Sequence, residues 1–502
     1  NGVSTIRLLL GRGADPNLAA VNGQTPLMMA ARGAVEAMHL LIENGSDVNA
    51  KDGAGETALM AACTSGNARA VQLLIERGAD VKVTSKRNET ALGFAATSGV
   101  QASVEMLLAK GAEVNVRNFR GYSPLMFAAS SDALPAGIVK LLLDKGADAS
   151  FTGDYDEPAS ALAAKRGHTE SARLLGAVSP SPSATATATL TPVSVSRRSI
   201  PGAVSSSLAL LEKQSSAFIR TAGCNSCHSQ DLPSAAAGLA RDYGLTAMKS
   251  FPQLPATMTP PAEQIMDFNI VSTNIAWELF DAGMNHEPRT QVTDAIVRYL
   301  MASQTADGGW RNPESRRPPM NSGRFQTAAL AIYAMKNYAP EAEKLSCEKA
   351  IARSVAWLEK STPVTNQDRA FRLLGLAWGG GSAAVIRQEA KALAALQRAD
   401  GGWSQFPAMA SDAYATGEAL YALGYAGRMA PGDPVFRKGV DFLLRTQASD
   451  GSWHVKSRAI WLQPYFESGF PYGQDQFIST AGTAWATLAL TLAAEPKKQA
   501  QR

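Results

Sequence analysis

The chain has 502 residues, a formal net charge of +4, and 45% hydrophobic residues. This length predicts about three domains of roughly 150 residues each. The small net charge and the absence of a long Lys/Arg run argue against a nucleic-acid-binding protein. No apolar run reaches the roughly 18 residues that a membrane-spanning helix needs, so we expect no membrane span. The composition therefore favours an ordinary globular, multidomain chain.

The first part of the chain, residues 1–178, repeats at intervals of 32, 33, 33 and 35 residues, counted between turn glycines. These glycines are Gly13, Gly45, Gly78, Gly111 and Gly146. Glycine permits the positive φ that a chain needs where it leaves a helix. Because the chain begins with Asn1, inside a repeat, we expect that the natural N-terminus is missing and that any signal peptide is not visible.

A second element keeps the same period. It starts with a Thr or Ser that can cap a short helix, at Thr25, Thr57, Thr90 and Ser123. Both elements together resemble the ankyrin repeat, with Met or Gly where the family's usual motif has His. The resemblance implies an α-helical solenoid that binds a protein partner on its concave face. It implies no enzyme activity.

Residues 179–202 are rich in Ser, Pro, Thr and Ala. Such a segment has too few large apolar side chains to offset the entropy lost on ordering, so we predict a flexible linker. Limited proteolysis of the whole chain should therefore cut first between residues 179 and 201. Early cleavage within residues 208–488, with this segment intact, would contradict the prediction.

The motif Cys224-Asn-Ser-Cys227-His228 has the C-x-x-C-H spacing of a covalent haem c attachment site. Two thiols would bind the haem vinyl groups, and His228 would be an axial ligand of the iron. Three other interpretations stay open: a redox dithiol, a zinc site that lacks a visible fourth ligand, and a local disulfide. Cys63 and Cys347 lie on helical apolar patterns and are predicted to be small buried residues.

The motif lies in residues 203–288, which we predict to form a small helical segment similar to a cytochrome c. A sixth iron ligand would come from Met248, Met258 or Met266, although five-coordinate iron is equally compatible with the sequence. Covalent haem would imply a periplasmic or other extracytoplasmic location. Without haem, the sequence does not predict the location.

Residues 289–494 contain a second repeat, and residues 495–502 form a short tail. The signature runs from a Gln through Asp-Gly to a Trp, in Gln304–Trp310, Gln397–Trp403 and Gln447–Trp453. It resembles the QW repeat of squalene and hopene cyclases, and more broadly the α/α-toroid shared with protein prenyltransferase β-subunits. The resemblance implies concentric rings of helices around an apolar cavity. We expect the Gln and Trp side chains to be structural, with the Gln bound to groups at helix ends.

The catalytic candidates within the toroid are weak. Asp412 and Asp475 precede helices and are more typical of helix caps than of catalytic acids. The insertion 455–476 is aromatic and either lines a ligand site or packs the ring. The Asp-x-Asp-Asp motif with which the cyclases protonate an alkene is absent from this chain, so we predict no squalene cyclisation by that route. A three-ligand zinc site of the prenyltransferase kind is also unsupported, because Cys347 and His454 fall on different repeats.

The sequence thus predicts an all-α chain: an ankyrin solenoid, a flexible linker, a small haem-c-like segment and an α/α-toroid. This order resembles bacterial multidomain proteins with cytochrome c-like and squalene-cyclase-like regions. The first functional hypothesis is a redox or binding protein with one covalent haem and an apolar or peptide ligand in the toroid. The second is an enzyme similar to terpenoid cyclases or prenyltransferases. The third is a scaffold whose C-x-x-C-H motif is structural.

Overall fold

A computed structural model describes residues 2–167, 169–177, 198–222, 230–252, 272–305, 307–310, 323–458 and 467–494. The regular elements in these ranges are helices, and no strand longer than an isolated bridge occurs among them. The chain divides into two compact units, residues 1–181 and 182–502, so the division falls within the predicted linker. The all-α fold class predicted from the sequence is confirmed.

The first unit is a solenoid of paired short helices. Its helices are α1 (Gly2–Gly11), α2 (Pro26–Ala31), α3 (Val35–Glu43), α4 (Ala58–Thr64), α5 (Ala68–Glu76), α6 (Ala91–Ser98), α7 (Gln101–Ala109), α8 (Pro124–Ala129), α9 (Ala136–Asp144), α10 (Ala159–Ala164) and α11 (Glu170–Leu174). Each helix pair packs on the next pair, as in a repeat protein that buries its core between neighbours.

Local sequence explains where these helices begin and end. The hydroxyl oxygens of Thr25, Thr57, Thr90 and Ser123 each accept a hydrogen bond from the backbone N–H three residues later, as predicted. The five turn glycines have φ between 82° and 90°. Only glycine adopts this conformation without strain, which is why the glycine spacing predicted the repeats.

Asparagine side chains connect successive turns, a feature that the sequence analysis did not anticipate. Asn49 accepts the N–H of Asp80 at 2.8 Å and donates to the carbonyl of Gly78 at 3.1 Å. Asn17 and Asn115 make the same pair of bonds to the next turn. Lys82 occupies the equivalent position in the third turn and has no amide with which to make them.

We therefore expect Lys82→Asn to stabilise the array by about 0.5–1 kcal/mol, because it adds two inter-turn hydrogen bonds at an exposed site. Asn49→Ala should have the opposite effect. Amide hydrogen exchange of the full chain would report both changes as altered protection in the adjoining helices. Equal protection in the wild type and both variants would show that these bonds contribute nothing to stability.

The second unit contains longer helices. They are α12 (Ile200–Ala222), α13 (Leu232–Asp242), α14 (Ser272–Met284), α15 (Gln291–Ala302), α16 (Arg324–Tyr338), α17 (Lys344–Lys360), α18 (Asn366–Gly379), α19 (Ala383–Ala394), α20 (Ala413–Tyr425), α21 (Pro434–Thr446) and α22 (Gln476–Ala493). Among the described residues, no helix is both long and apolar enough to cross a membrane.

Six of these helices form a closed inner ring. Each one packs against two others, in the order α13, α14, α16, α18, α20, α22 and back to α13. Helices α12, α15, α17, α19 and α21 lie outside this ring, and each packs on two neighbouring inner helices. The inner helices are rich in Ala, which permits close approach, and almost every residue of α20 and α22 is buried.

Helix α13 is part of the inner ring, and α12 packs on its outside. The Gln447 side chain, in the last repeat signature, donates to the carbonyl of Ala203 in α12 at 3.0 Å. Helix α13 then packs between α14 and α22. Residues 203–288 therefore supply inner and outer ring helices, which differs from the separate cytochrome c-like segment expected from the sequence. Repeat spacing could not reveal this, because the closing contact joins residues far apart in the chain.

Ring closure depends on a glycine at the same junction. Gly451 has φ 94°, and a Cβ there would lie 2.6 Å from the backbone of Ser206. We expect Gly451→Ala to destabilise the second unit by on the order of 2 kcal/mol, since it adds strain and a backbone clash. Gly432→Ala is the matched control, because a Cβ at Gly432 meets nothing within 4 Å. Thermal unfolding of both variants checks this, and equal midpoints would contradict the closure.

Candidate functional site

The repeat signatures hold the outer ring together. The Trp310, Trp403 and Trp453 indole N–H groups each donate to the carbonyl ten residues earlier, at 2.8–3.0 Å, near the end of their own outer helix. The Gln304 amide donates to Gly308 and Ala350 carbonyls at 3.0 and 2.9 Å, and so joins one outer helix to the next. These contacts agree with the structural role expected for the signature residues.

An aromatic cluster fills the middle of the inner ring. It consists of Trp277, Phe280, Phe371, Tyr421 and Trp485, each at most 1% exposed. The rings of Phe280 in α14 and Tyr421 in α20 are 6.5 Å apart, and α14 and α20 are not neighbours in the ring. Trp277 likewise reaches Phe371 and Trp485, at 6.2 and 6.1 Å. These side chains, here called the aromatic centre, therefore meet across the interior.

A group of polar side chains lies in the first two turns of three successive inner helices, before buried aromatic residues of the same helices. It comprises Gln326 of α16, Asn366 and Gln367 of α18, and Tyr414 and Glu418 of α20, and is here called the polar belt. All five side chains are buried, at 0–6% exposure.

The register of each helix gives the orientation. Gln326 precedes the buried aromatic Tyr333 by seven residues, about two turns, so the two share a helix face. Gln367 stands one turn before Phe371, and Glu418 about one turn before Tyr421. Asn366 Nδ2 donates to the carbonyl of Ala415 at 3.2 Å, so the belt residues of α18 and α20 are in contact, and Gln326 lies near the start of α16, which packs on α18.

Several belt atoms have no hydrogen-bond partner. Both side-chain atoms of Gln326, both carboxyl oxygens of Glu418 and the Oδ1 of Asn366 are buried without one. The Tyr414 hydroxyl, by contrast, bonds the Oε1 of Gln367 at 3.2 Å. Buried polar groups in native proteins almost always have a partner, in the protein, in water or in a ligand. The belt is therefore the place in the described toroid where a bound molecule has most hydrogen bonds to gain.

Glu418 is the acid of the belt. Burial raises its pKa well above the ordinary value, the charges of Asp368 and Asp412 raise it further, and Arg458 lowers it. The raised pKa favours the neutral form of the carboxyl, which can donate a hydrogen bond. A neutral carboxyl can act as a general acid or hydrogen-bond donor towards a basic oxygen of a bound molecule.

Asp412, a candidate from the sequence, caps α20. Its Oδ1 accepts the N–H of Ala415 at 2.8 Å, and its Oδ2 accepts the Gln405 amide at 2.9 Å. Loss of surrounding water raises the pKa of Asp412 to about 6 in spite of these bonds. Gln405 in turn accepts Arg458 Nε at 2.7 Å. The capping role expected for Asp412 is thus present, and its carboxyl helps to keep Glu418 neutral.

Asp475, the second candidate, is at the N-cap position of α22, but its side chain makes no capping hydrogen bond, which differs from the expected role. Its Oδ2 is 2.7 Å from His454 Nε2, and its Oδ1 accepts the N–H of Ser457 at 2.8 Å. The ring of Tyr472 stacks on His454 at 4.5 Å. In the described part of the aromatic insertion these side chains pack against one another, and Phe470 is buried. Asp475 is therefore part of the contacts that hold the insertion on the ring.

The haem motif lies outside the described residues, as do Met258 and Met266. Met248 is described and packs, partly buried, against the core of the ring. Two residues after His228, the Gln230 side chain is buried with both polar atoms unpartnered. Near it, burial and the charge of Asp231 raise the pKa of Glu278 to about 8.

The remaining cysteines are buried thiols, as predicted. Burial raises the pKa of the Cys63 and Cys347 thiols. Cys347 Sγ lies 3.4 Å from Met301 Sδ, whereas His454 pairs with Asp475. Within the described ranges, His, Cys, Asp and Glu side chains form no group of three that could hold a metal ion.

Sequence reasoning missed Glu418 and Gln326. One signal could have found them: each is a polar residue in an Ala-rich inner helix, one or two turns before an aromatic residue. The catalytic motifs considered above consist of adjacent carboxylates or of loop residues at the cavity mouth. A single polar residue inside a helix matches neither pattern.

Comparison with known proteins identifies the repeats of the first unit. The family model for ankyrin repeats in three copies matches residues 1–85, 33–118 and 92–185. A 70-residue stretch is 40% identical to human transient receptor potential cation channel subfamily A member 1, covering 14% of this chain and 6% of that protein. The first unit is thus an ankyrin-repeat array, and repeats of this kind support a role in protein interaction.

A second similarity concerns a terpenoid enzyme. A stretch of 180 residues is 29% identical to drimenyl diphosphate synthase of Streptantibioticus cattleyicolor, covering 32% of this chain and 32% of that protein. The chain therefore spans about a third of this relative and a small fraction of the channel protein. The similarity is in keeping with the resemblance of the repeat signatures to terpenoid cyclases.

Proposed function

We propose that the toroid binds an isoprenoid-like, largely apolar molecule and that Glu418 donates a proton or a hydrogen bond to it. The observation that carries the proposal is the Glu418 carboxyl, which is fully buried and without a partner on the helix that also carries Tyr421 of the aromatic centre, one turn later. Aromatic rings provide apolar contact, and their faces stabilise positive charge that develops on a ligand. The similarity to drimenyl diphosphate synthase supports this choice of ligand class.

The protein partner of the ankyrin array is proposed to bind its concave face, the surface that such solenoids use. The array would then bring the toroid to a partner protein, while the chemistry stays within the second unit. This division agrees with the separation of the chain into two compact units.

The test is a titration of the full-length protein with squalene and with farnesol. Binding is monitored by tryptophan fluorescence, to which Trp277 and Trp485 of the aromatic centre contribute. Saturable quenching by at least one of them is expected, because Trp277 and Trp485 lie at the proposed site. The absence of any saturable change with either compound would contradict isoprenoid binding. Mass spectrometry of the same mixtures detects any product, and a product that persists in Glu418→Gln protein would exclude Glu418 as its acid.

The C-x-x-C-H motif supports a second proposed function, covalent binding of one haem c, with His228 as an axial ligand. The donor set of two thiols and an imidazole suits this group, and the buried, unpartnered amide of Gln230 beside the motif leaves hydrogen bonds for a bound group to satisfy. Haem would add electron transfer. Residues Cys224 and Cys227 would hold it, and an extracytoplasmic location would follow.

A further inference from the structure

We infer that the polar belt recognises an uncharged oxygen, a hydroxyl or carbonyl group, on an otherwise apolar ligand whose body lies against the aromatic centre. This inference deepens the proposed function of the same site. It rests on the arrangement of unpartnered groups in the belt.

The hydrogen-bonding capacity of the belt is neutral. Gln326 offers an amide donor and an amide acceptor, Asn366 offers an acceptor, and Glu418 in its protonated form offers a donor and an acceptor. A hydroxyl group donates one hydrogen bond and accepts others, so it can satisfy donors and acceptors together. A hydrocarbon would leave every one of these groups unpaired, which is unfavourable for a buried polar group.

The charges around the belt disfavour an anionic head group. Asp368 and Asp412 both lie close enough to Glu418 to raise its pKa. The nearby cation, Arg458, already donates to Gln405 and lies over the Phe406 ring at 4.7 Å. Arg369 and Arg372 of the adjoining helix are paired with Glu389. Among the described residues near the belt, therefore, the cations already have anionic or polar partners, and a diphosphate would meet carboxylates.

The acid strength of Glu418 points the same way. A raised pKa makes the carboxyl a weak acid, which keeps its proton until a base of comparable strength is present. An isolated alkene is a very weak base, whereas a hydroxyl or carbonyl oxygen readily accepts a hydrogen bond from a neutral carboxyl. This agrees with the absence of the Asp-x-Asp-Asp motif that alkene protonation requires in the cyclases.

The inference is tested by three probes of one chain length: farnesol, farnesyl diphosphate and the hydrocarbon farnesene. Dissociation constants are measured by tryptophan fluorescence with the full-length protein. Farnesol should bind at least about 10-fold more tightly than farnesene, the factor that corresponds to one satisfied buried hydrogen bond. Farnesyl diphosphate should bind more weakly than farnesol.

Variants assign the effect to the belt. Gln326→Leu should reduce the preference for farnesol over farnesene to about 3-fold or less, because the variant lacks the amide that the hydroxyl group would satisfy. Glu418→Gln should retain most of the preference, because an amide still donates and accepts, whereas Glu418→Leu should lose it. Gln388→Leu, the same change on an exposed outer-helix residue, is the matched control.

The two proposals fail in different ways. If no isoprenoid binds, the proposed function itself is wrong. If farnesene or farnesyl diphosphate binds as tightly as farnesol, isoprenoid binding stands but the recognition of an uncharged oxygen is wrong. The comparison of the three probes on wild-type protein decides this point even if a belt variant does not fold.

Discussion

Protein matured by a cytochrome c assembly system should carry one haem that stays with the chain through acid–acetone extraction and denaturing electrophoresis. Thioether bonds from Cys224 and Cys227 survive both treatments, whereas a haem held only through its iron does not. This is the largest effect that we expect in any of the experiments, because haem absorbance is either present or absent. Haem-specific staining of the denatured protein is the measurement.

Variants separate this site from the other cysteines. Cys227→Ala should weaken attachment, and His228→Ala should change the spin state of the iron. Cys63→Ala is the matched control, because that thiol is buried in the ankyrin array. Met248→Ala, Met258→Ala and Met266→Ala, compared by optical spectroscopy, test for a sixth ligand. Matured wild-type protein without haem stain would remove the redox hypothesis and leave the motif to a structural, metal or disulfide role.

Glu418→Gln should stabilise the second unit at neutral and alkaline pH. The native carboxyl keeps its proton where the unfolded chain, with a glutamate pKa of about 4.3, has lost it. The native state then binds more protons, so the stability of the wild type falls as pH rises above that value. The fall is about 1.4 kcal/mol per pH unit until the native pKa is reached. A glutamine side chain does not ionise, so it adds no such pH dependence to the stability of the variant.

Urea unfolding of the wild type and Glu418→Gln between pH 4 and pH 8 measures the difference. The two proteins should be nearly equal at pH 4 and diverge as pH rises, with the variant the more stable. Glu348→Gln, on an exposed outer-helix position, should show no divergence. A constant difference at all pH values would mean that the native carboxyl ionises normally, which would contradict the burial of a neutral acid.

The repeat architecture was predictable because it depends on residues that recur at fixed intervals in the sequence. A turn glycine must recur at each helix exit, and a hydroxyl residue must recur at each helix start, so the ankyrin period is visible without any tertiary information. The same holds for Gln304 and Trp310, whose hydrogen bonds stay within one outer helix and its neighbour. The structure adds no surprise at these positions.

Ring closure and the polar belt were not predictable in the same way. The contact of Gln447 with α12 joins residues 244 apart, and no periodicity relates them. The pKa of Glu418 is raised by its burial, which excludes water, and by the charge of Asp368 on a different helix. A single glutamate in a helix is usually a solvated residue, so the sequence alone gave it no distinction from the exposed Glu348.

The most direct test of the central claim is the infrared spectrum of the Glu418 carboxyl at pH 7, recorded as the difference between wild type and Glu418→Gln. The wild type should show a carbonyl band of a protonated carboxylic acid that is absent from the variant and shifts when farnesol binds. A spectrum in which Glu418 contributes only carboxylate bands would contradict the neutral acid. An acid band that does not respond to farnesol would contradict its contact with the ligand.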